Sequence, residues 1–142
     1  MNLAQRAAAT RSTWESFRGV PLRWNGATCA HVLHDHLINA GHTPPAVPTF
    51  RTKKGAREAL AAMGVANLVD VPRMLGLEEI TPASMVVGDI GLLPGDGNRT
   101  DGIRAAIAIC AGNGKFMGWH GAAEGFRIIG NILPHVKAAF RI

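Results

Sequence analysis

The sequence predicts an α+β domain in which N-terminal helices pack on a C-terminal antiparallel sheet of four to five strands. Three observations carry this. In the first half, apolar residues recur at intervals of three and four, the period of helices with one buried face. After Met85 the period shortens to alternation, and short runs rich in β-branched residues are separated by glycine-rich turns. Helices first and strands last is the order of a layered α+β domain rather than of alternating βαβ units.

Residues 3 to 18 read as a helix offering Leu3, Ala7, Trp14 and Phe17 for burial, with Thr10, Ser12 and Thr13 weakening its middle and Gly19 ending it before Pro21. Residues 23 to 41 form the stretch around which the chain is organised. Trp24-Asn25-Gly26 makes a tight approach, Thr28 is the natural N-cap, and Cys29, Val32, Leu33, His36, Leu37 and Ala40 form one apolar face of a helix stopped at Gly41. The segment GHTPPAVPTFRT is a surface loop held in shape by Pro44, Pro45 and Pro48. A further helix runs from Thr52, its cap, to Met63, with Ala56, Ala59, Leu60 and Met63 as the packing stripe and Gly64 as its end. A short helix from Val69 to Leu75, capped by Asn67, tolerates Pro72 only in its first turn.

In the second half, MVVGDIGLLPGDG supplies one strand, and IRAAIAICAGNGKFMGWHG reads as two strands joined by Ala111 to Gly114. GFRIIG and the final AAFRI add two more. The polar loop of residues 95 to 102 reads as a hairpin connection. With only Asp96 and Asp101 it lacks the alternating acidic residues and closing glutamate of a calcium loop.

A chain of 142 residues is one domain, 1–142, large enough to bury a core without staples, with residues 1–20 read as a helical N-terminal extension. Its 47% hydrophobic and 18% charged residues argue against a disordered tail, and the absence of an eighteen-residue apolar run argues against a membrane span. The opening residues mix charge throughout and do not read as a secretory signal. Two distant cysteines, Cys29 and Cys110, imply reducing conditions and no disulfide. The net charge of +5 comes from scattered residues without a recognition-helix or stacking pattern, so a solvated surface or an acidic protein partner is expected before a nucleic acid.

Chemistry centres on Cys29. In the first turn of a helix its sulfur faces unpaired amides and the positive end of the dipole, which lowers a thiol pKa. The competing reading is a small buried hydrophobe. His31, His34, His36 and His42 crowd nearby without a metal-binding spacing, so neither metal nor cofactor is expected. His120 follows Trp119 at the end of a predicted strand, where a sheet packed on the Cys29 helix can bring it toward the sulfur.

The sequence resembles a family of small phage and prophage proteins of unassigned biochemical function, related to the papain-like fold of bacterial cell-wall cysteine peptidases of the NlpC type. The resemblance rests on Trp24-Asn25-Gly26 before Cys29, Phe50-Arg51-Thr52 followed by Gly55, Gly88-Asp89-Ile90, Gly112-Asn113-Gly114-Lys115-Phe116 and the terminal Ala139-Phe140-Arg141-Ile142. It implies a papain-like fold with Cys29 in the place of the nucleophile, Thr28 replacing an acidic residue before it, and Arg104 where the base histidine belongs. Arginine stays protonated and cannot accept the thiol proton. His120 falls near the position of the residue that orients the base.

The resemblance therefore implies a phage tail or tail-tip component, made in the host bacterial cytoplasm and located in the virion tail, that binds other tail proteins through a non-catalytic version of the fold. The alternative is a peptidoglycan-degrading cysteine peptidase using Cys29 and His120, in contact with peptidoglycan during genome entry or release. A regulator of a host protein is a third reading.

Overall fold

The computed structural model of the chain describes residues 1–65, 68–94, 105–119, 125–130 and 132–142. Among the described residues, four helices precede the main sheet: α1 (Leu3–Phe17), α2 (Cys29–Asn39), α3 (Lys53–Ala62) and α4 (Asp70–Met74). The strands are β1 (Glu78–Ile80), β2 (Ile90–Pro94), β3 (Ala105–Gly112), β4 (Lys115–Gly118), β5 (Arg127–Gly130) and β6 (Ala138–Arg141). They form one antiparallel sheet in the order β1-β6-β2-β3-β4-β5.

The α+β layering is as expected, but the sheet has six strands rather than four or five. The additional strand is β1, three residues long with Glu78 and Glu79 exposed. So short and charged a segment carries no alternation, yet it pairs with β6 through Glu79 opposite Phe140. Charged, short edge strands are a common way to blunt further pairing.

The β3–β4 hairpin turns at Asn113-Gly114, whose φ values of 54° and 72° are the left-handed pair of a tight hairpin. Ile107 and Ile109 on β3 face the helices, packing with Leu33, Leu37 and Phe140 and with Val32 and Phe126 respectively. Ala108 and Cys110 point to the other face, against Phe116, Val136 and Ala139. This is the two-residue period of a strand covered on both sides.

α1 departs from its expected face. Leu3 and Ala7 are exposed and Trp14 is half-buried, whereas Arg6, Ala9, Thr10, Thr13 and Phe17 are buried. The helix is held by polar partners. The Arg6 guanidinium lies 2.9 Å from the fully buried carboxylate of Asp89, which Arg141 also reaches at 3.2 Å. Thr13 meets His36 of α2 at 2.8 Å. The threonines that weaken the intrinsic helix signal bond back to carbonyls four residues earlier, Thr10 to Arg6 and Thr13 to Ala9. After the helix, the Gly19 N–H donates to the Phe126 carbonyl and the Phe126 N–H to the Val20 carbonyl, each at 2.9 Å, tying the segment beyond α1 to the chain entering β5.

Candidate active site

The turn at Trp24-Asn25-Gly26 is closed by reciprocal backbone bonds between Arg23 and Ala27, each at 2.9 Å, and delivers Thr28 in an extended conformation as N-cap of α2. His31 takes the place that a glutamine or glutamate fills in an ordinary capping box. Its Nδ1 accepts from the Thr28 N–H at 3.3 Å and lies 2.7 Å from the Thr28 hydroxyl. An amide can only donate, so Nδ1 is unprotonated and the neutral ring carries its proton on Nε2. Burial lowers the pKa of this histidine, against the raising effect of Asp35.

Cys29 is the first residue of α2 and is half-buried. Its sulfur packs on the start of β3 and accepts the N–H of Ile107 at 3.4 Å. The expected low thiol pKa is not found. Burial raises it above 9.0, and the Ile107 N–H and the cysteine's own amide only partly oppose that rise. The helix end supplies partial charges, but placing the thiol against a strand removes the water that would solvate a thiolate, and desolvation is the larger effect.

The thiol stands on the wall of a cleft of about 710 Å³, shared with Trp24, Leu33, the Pro44–Pro48 loop, α3, α4, Ala106 and Trp119. The Trp119 ring is fixed by an indole N–H to Val20 carbonyl bond of 2.7 Å. Of the other residues singled out in the sequence, Arg104 and His120 lie outside the described residues, as do Asn67, Asp96 and Asp101. The flanks of the first two are visible: Ala106 and Trp119 both border the cleft with Cys29.

The remaining histidines separate clearly. His34 lines the cleft and lies 3.4 Å from Asp35, whereas His42 is exposed. His36 is fully buried between the Thr13 hydroxyl and the Gly88 carbonyl, each at 2.8 Å. The carbonyl requires the proton on Nε2. Nδ1 of the neutral ring then shares the single Thr13 hydroxyl hydrogen with the Ala9 carbonyl, 3.1 Å from the same oxygen, and that oxygen receives the Asn39 amide at 3.0 Å. Among the described residues, no group of three or more His, Cys, Asp or Glu side chains is placed to hold a metal ion, and no helix is long and apolar enough to cross a membrane.

Sequence reasoning missed the His31 capping partner, the Ile107 amide at the sulfur, and the placement of His34 and Lys53 on the cleft wall. The first had a local signal, a hydrogen-bonding side chain three residues after the cap. The others depend on how β3 and α3 pack and have none. Chemically, the site presents a neutral thiol with the Ile107 N–H on its sulfur and its own amide beside it, which becomes a nucleophile only when a base removes its proton.

A family model described as a domain of unknown function (DUF6950) matches residues 1–142. No curated protein matches the chain in sequence. An NlpC/P60 family protein from Bacillus cereus ATCC 10987 has a similar structure, with a TM-score of 0.59 and 16% identity over 95% of this chain and 39% of that one. A protein described as similar to lipoprotein, NLP/P60 family, from Staphylococcus aureus subsp. aureus Mu50 has a TM-score of 0.61 and 15% identity over 100% of this chain and 42% of that one. At such identities the likeness is one of fold, and this chain spans about two-fifths of the length of either protein.

Proposed function

The chain belongs to the DUF6950 family, and from that premise we propose that it is a thiol hydrolase of bacterial cell-wall peptides, with Cys29 as the attacking sulfur and His120 as the proton acceptor. The observation that carries this reading is the seat of Cys29, in the first turn of α2, its sulfur against the Ile107 amide and its side chain on the wall of a cleft within an NlpC/P60-like fold.

The reaction begins from the thiol rather than a preformed thiolate. His120 accepts the proton as the sulfur attacks the scissile carbonyl, and returns it to the departing amine. The acyl group is left as a thioester on Cys29, which water hydrolyses. Deprotonation coupled to attack suits a thiol that burial holds protonated.

A second reading is a phage tail or tail-tip component, resident in the virion, that docks onto other tail proteins through the same domain without catalysis. It is favoured by the raised thiol pKa and by Arg104 in the position that the resemblance gives to the base.

Incubation of the purified protein with peptidoglycan fragments, followed by mass spectrometry of released peptides, separates the two. Hydrolysis abolished by Cys29→Ala and by His120→Ala supports the first reading. Absence of product from the unaltered protein, together with its co-purification with tail particles, supports the second.

A further inference from the structure

The cap of α2 hangs on a bond that one proton can break. The Thr28 N–H donates to Nδ1 of His31 at 3.3 Å, and the Thr28 hydroxyl lies 2.7 Å from the same nitrogen. Thr28 is only 4% exposed, so water does not stand in for that acceptor. In an ordinary capping box the partner is a glutamine or a glutamate. An amide never titrates and a carboxylate does so well below neutral pH, whereas an imidazole changes charge close to it.

The two contacts at Nδ1 respond differently to protonation. A hydroxyl can turn and accept, so its contact survives with donor and acceptor exchanged. The amide cannot. With a proton on Nδ1 the Thr28 N–H faces another N–H and is left without an acceptor in a buried place, which is costly.

The cap carries the thiol. Cys29 follows Thr28 directly, and its sulfur sits 3.4 Å from the Ile107 N–H in the seat whose burial raises the thiol pKa. The His31 ring also rests on Phe50, with 5.4 Å between centroids, and Phe50 and Thr28 line the cleft together with Cys29. Burial disfavours the charged form of His31 most strongly, Asp35 of the same helix favours it and His34 opposes it, while the loop packed against the ring presents the uncharged Phe50.

We propose that His31 is a positioning residue for Cys29, closing the first turn of α2 and seating the sulfur against β3 when neutral, and opening that turn when protonated. As a property of the seat this holds without hydrolysis. Its consequence for catalysis, loss of the aligned nucleophile on acidification, rests on the hydrolase reading.

The first measurement is a pH titration of the unaltered full chain labelled with nitrogen-15, from pH 8 to pH 5. The ring nitrogens show where His31 carries its proton, and the Thr28 amide signal reports on its acceptor. The expected result is a proton on Nε2 alone at pH 8, then a Thr28 shift that follows the His31 titration with one midpoint, below the ordinary 6.5. A Thr28 signal that stays still while His31 titrates, or a proton on Nδ1 at pH 8, overturns the proposal.

The second is iodoacetamide labelling of Cys29 at pH 8 in a Cys110→Ala background. His31→Ala is expected to label about fivefold faster than the parent, the scale of one lost cap bond, because a frayed first turn exposes the sulfur. His31→Gln restores an uncharged acceptor, labels at the parent rate, and abolishes the Thr28 titration. Circular dichroism and melting confirm that each variant is folded, and where one is not, the titration of the unaltered chain decides. Equal rates in His31→Ala and the parent, or a His31→Gln as fast as His31→Ala, overturn the proposal. Absence of peptide hydrolysis with both measurements as expected supports the role of His31 and counts against the hydrolase alone.

Discussion

The Ile107 amide of β3 meets the Cys29 sulfur of α2 across 3.4 Å, joining the sheet to the helix at the candidate nucleophile. A backbone donor there partly offsets desolvation, but burial still holds the thiol pKa above 9.0. Alkylation of Cys29 in a Cys110→Ala background is therefore expected to be slow at pH 6 and to accelerate through and beyond pH 9. Peptide mapping after iodoacetamide treatment checks this. Rapid labelling at pH 6 would show an activated thiolate and contradict the burial argument.

Asp89 is fully buried, with Arg6 and Arg141 on its two oxygens and the Val86 N–H at 2.9 Å. Removing Arg6 strips the Asp89 Oδ1 of its guanidinium and leaves the buried carboxylate only Arg141 and the Val86 N–H on the other oxygen, so Arg6→Met is expected to destabilise the fold by up to about 3–5 kcal/mol. Urea denaturation measures it. A cost below about 1 kcal/mol would mean that α1 is not anchored through this pair.

The buried His36 ring is neutral, and burial lowers its pKa from the ordinary 6.5, with the Gly88 carbonyl and Asp89 acting in the opposite sense. A lowered pKa means that the unfolded chain binds the proton more readily. The stability contributed by neutral His36 is then fully present above pH 6.5 and is lost as pH falls toward the folded-state value. His31 shifts in the same direction and adds to the slope. Melting temperature is expected to fall between pH 7 and pH 5, and less steeply in His36→Gln measured against its own value at pH 7.

Gly125 faces the chain leaving α1, and a Cβ there would stand 2.6 Å from the Gly19 carbonyl oxygen, whereas at Gly130 it would meet nothing within 4 Å. Gly125→Ala is expected to cost about 1–3 kcal/mol because backbone must move, with Gly130→Ala as a mild control. Equal melting temperatures for the two variants would show that the α1–β5 junction yields freely.

Legibility in the sequence followed the kind of force involved. The α2 stripe is readable because Val32, Leu33, His36 and Leu37 are all buried on one side of the helix, and the hairpin because Asn113-Gly114 suits its backbone geometry. α1 was misread because its buried face is Arg6, Thr10 and Thr13, paired with residues far along the chain that leave no local period. β1 was too short to alternate. The position of Cys29 at a helix start was legible, but its pKa was not, since the rule for helix ends is local and the burial comes from β3.

Whether Cys29 forms an acyl bond with a cell-wall peptide is decided by acid-quenching the protein with peptidoglycan fragments and mapping adducts by mass spectrometry. A peptidyl mass is expected on the peptide containing Cys29, labile to hydroxylamine as a thioester is, and accumulating when the second half of the reaction is slowed. Peptide release with Cys29 never modified, or persistence of release in Cys29→Ala, would contradict it.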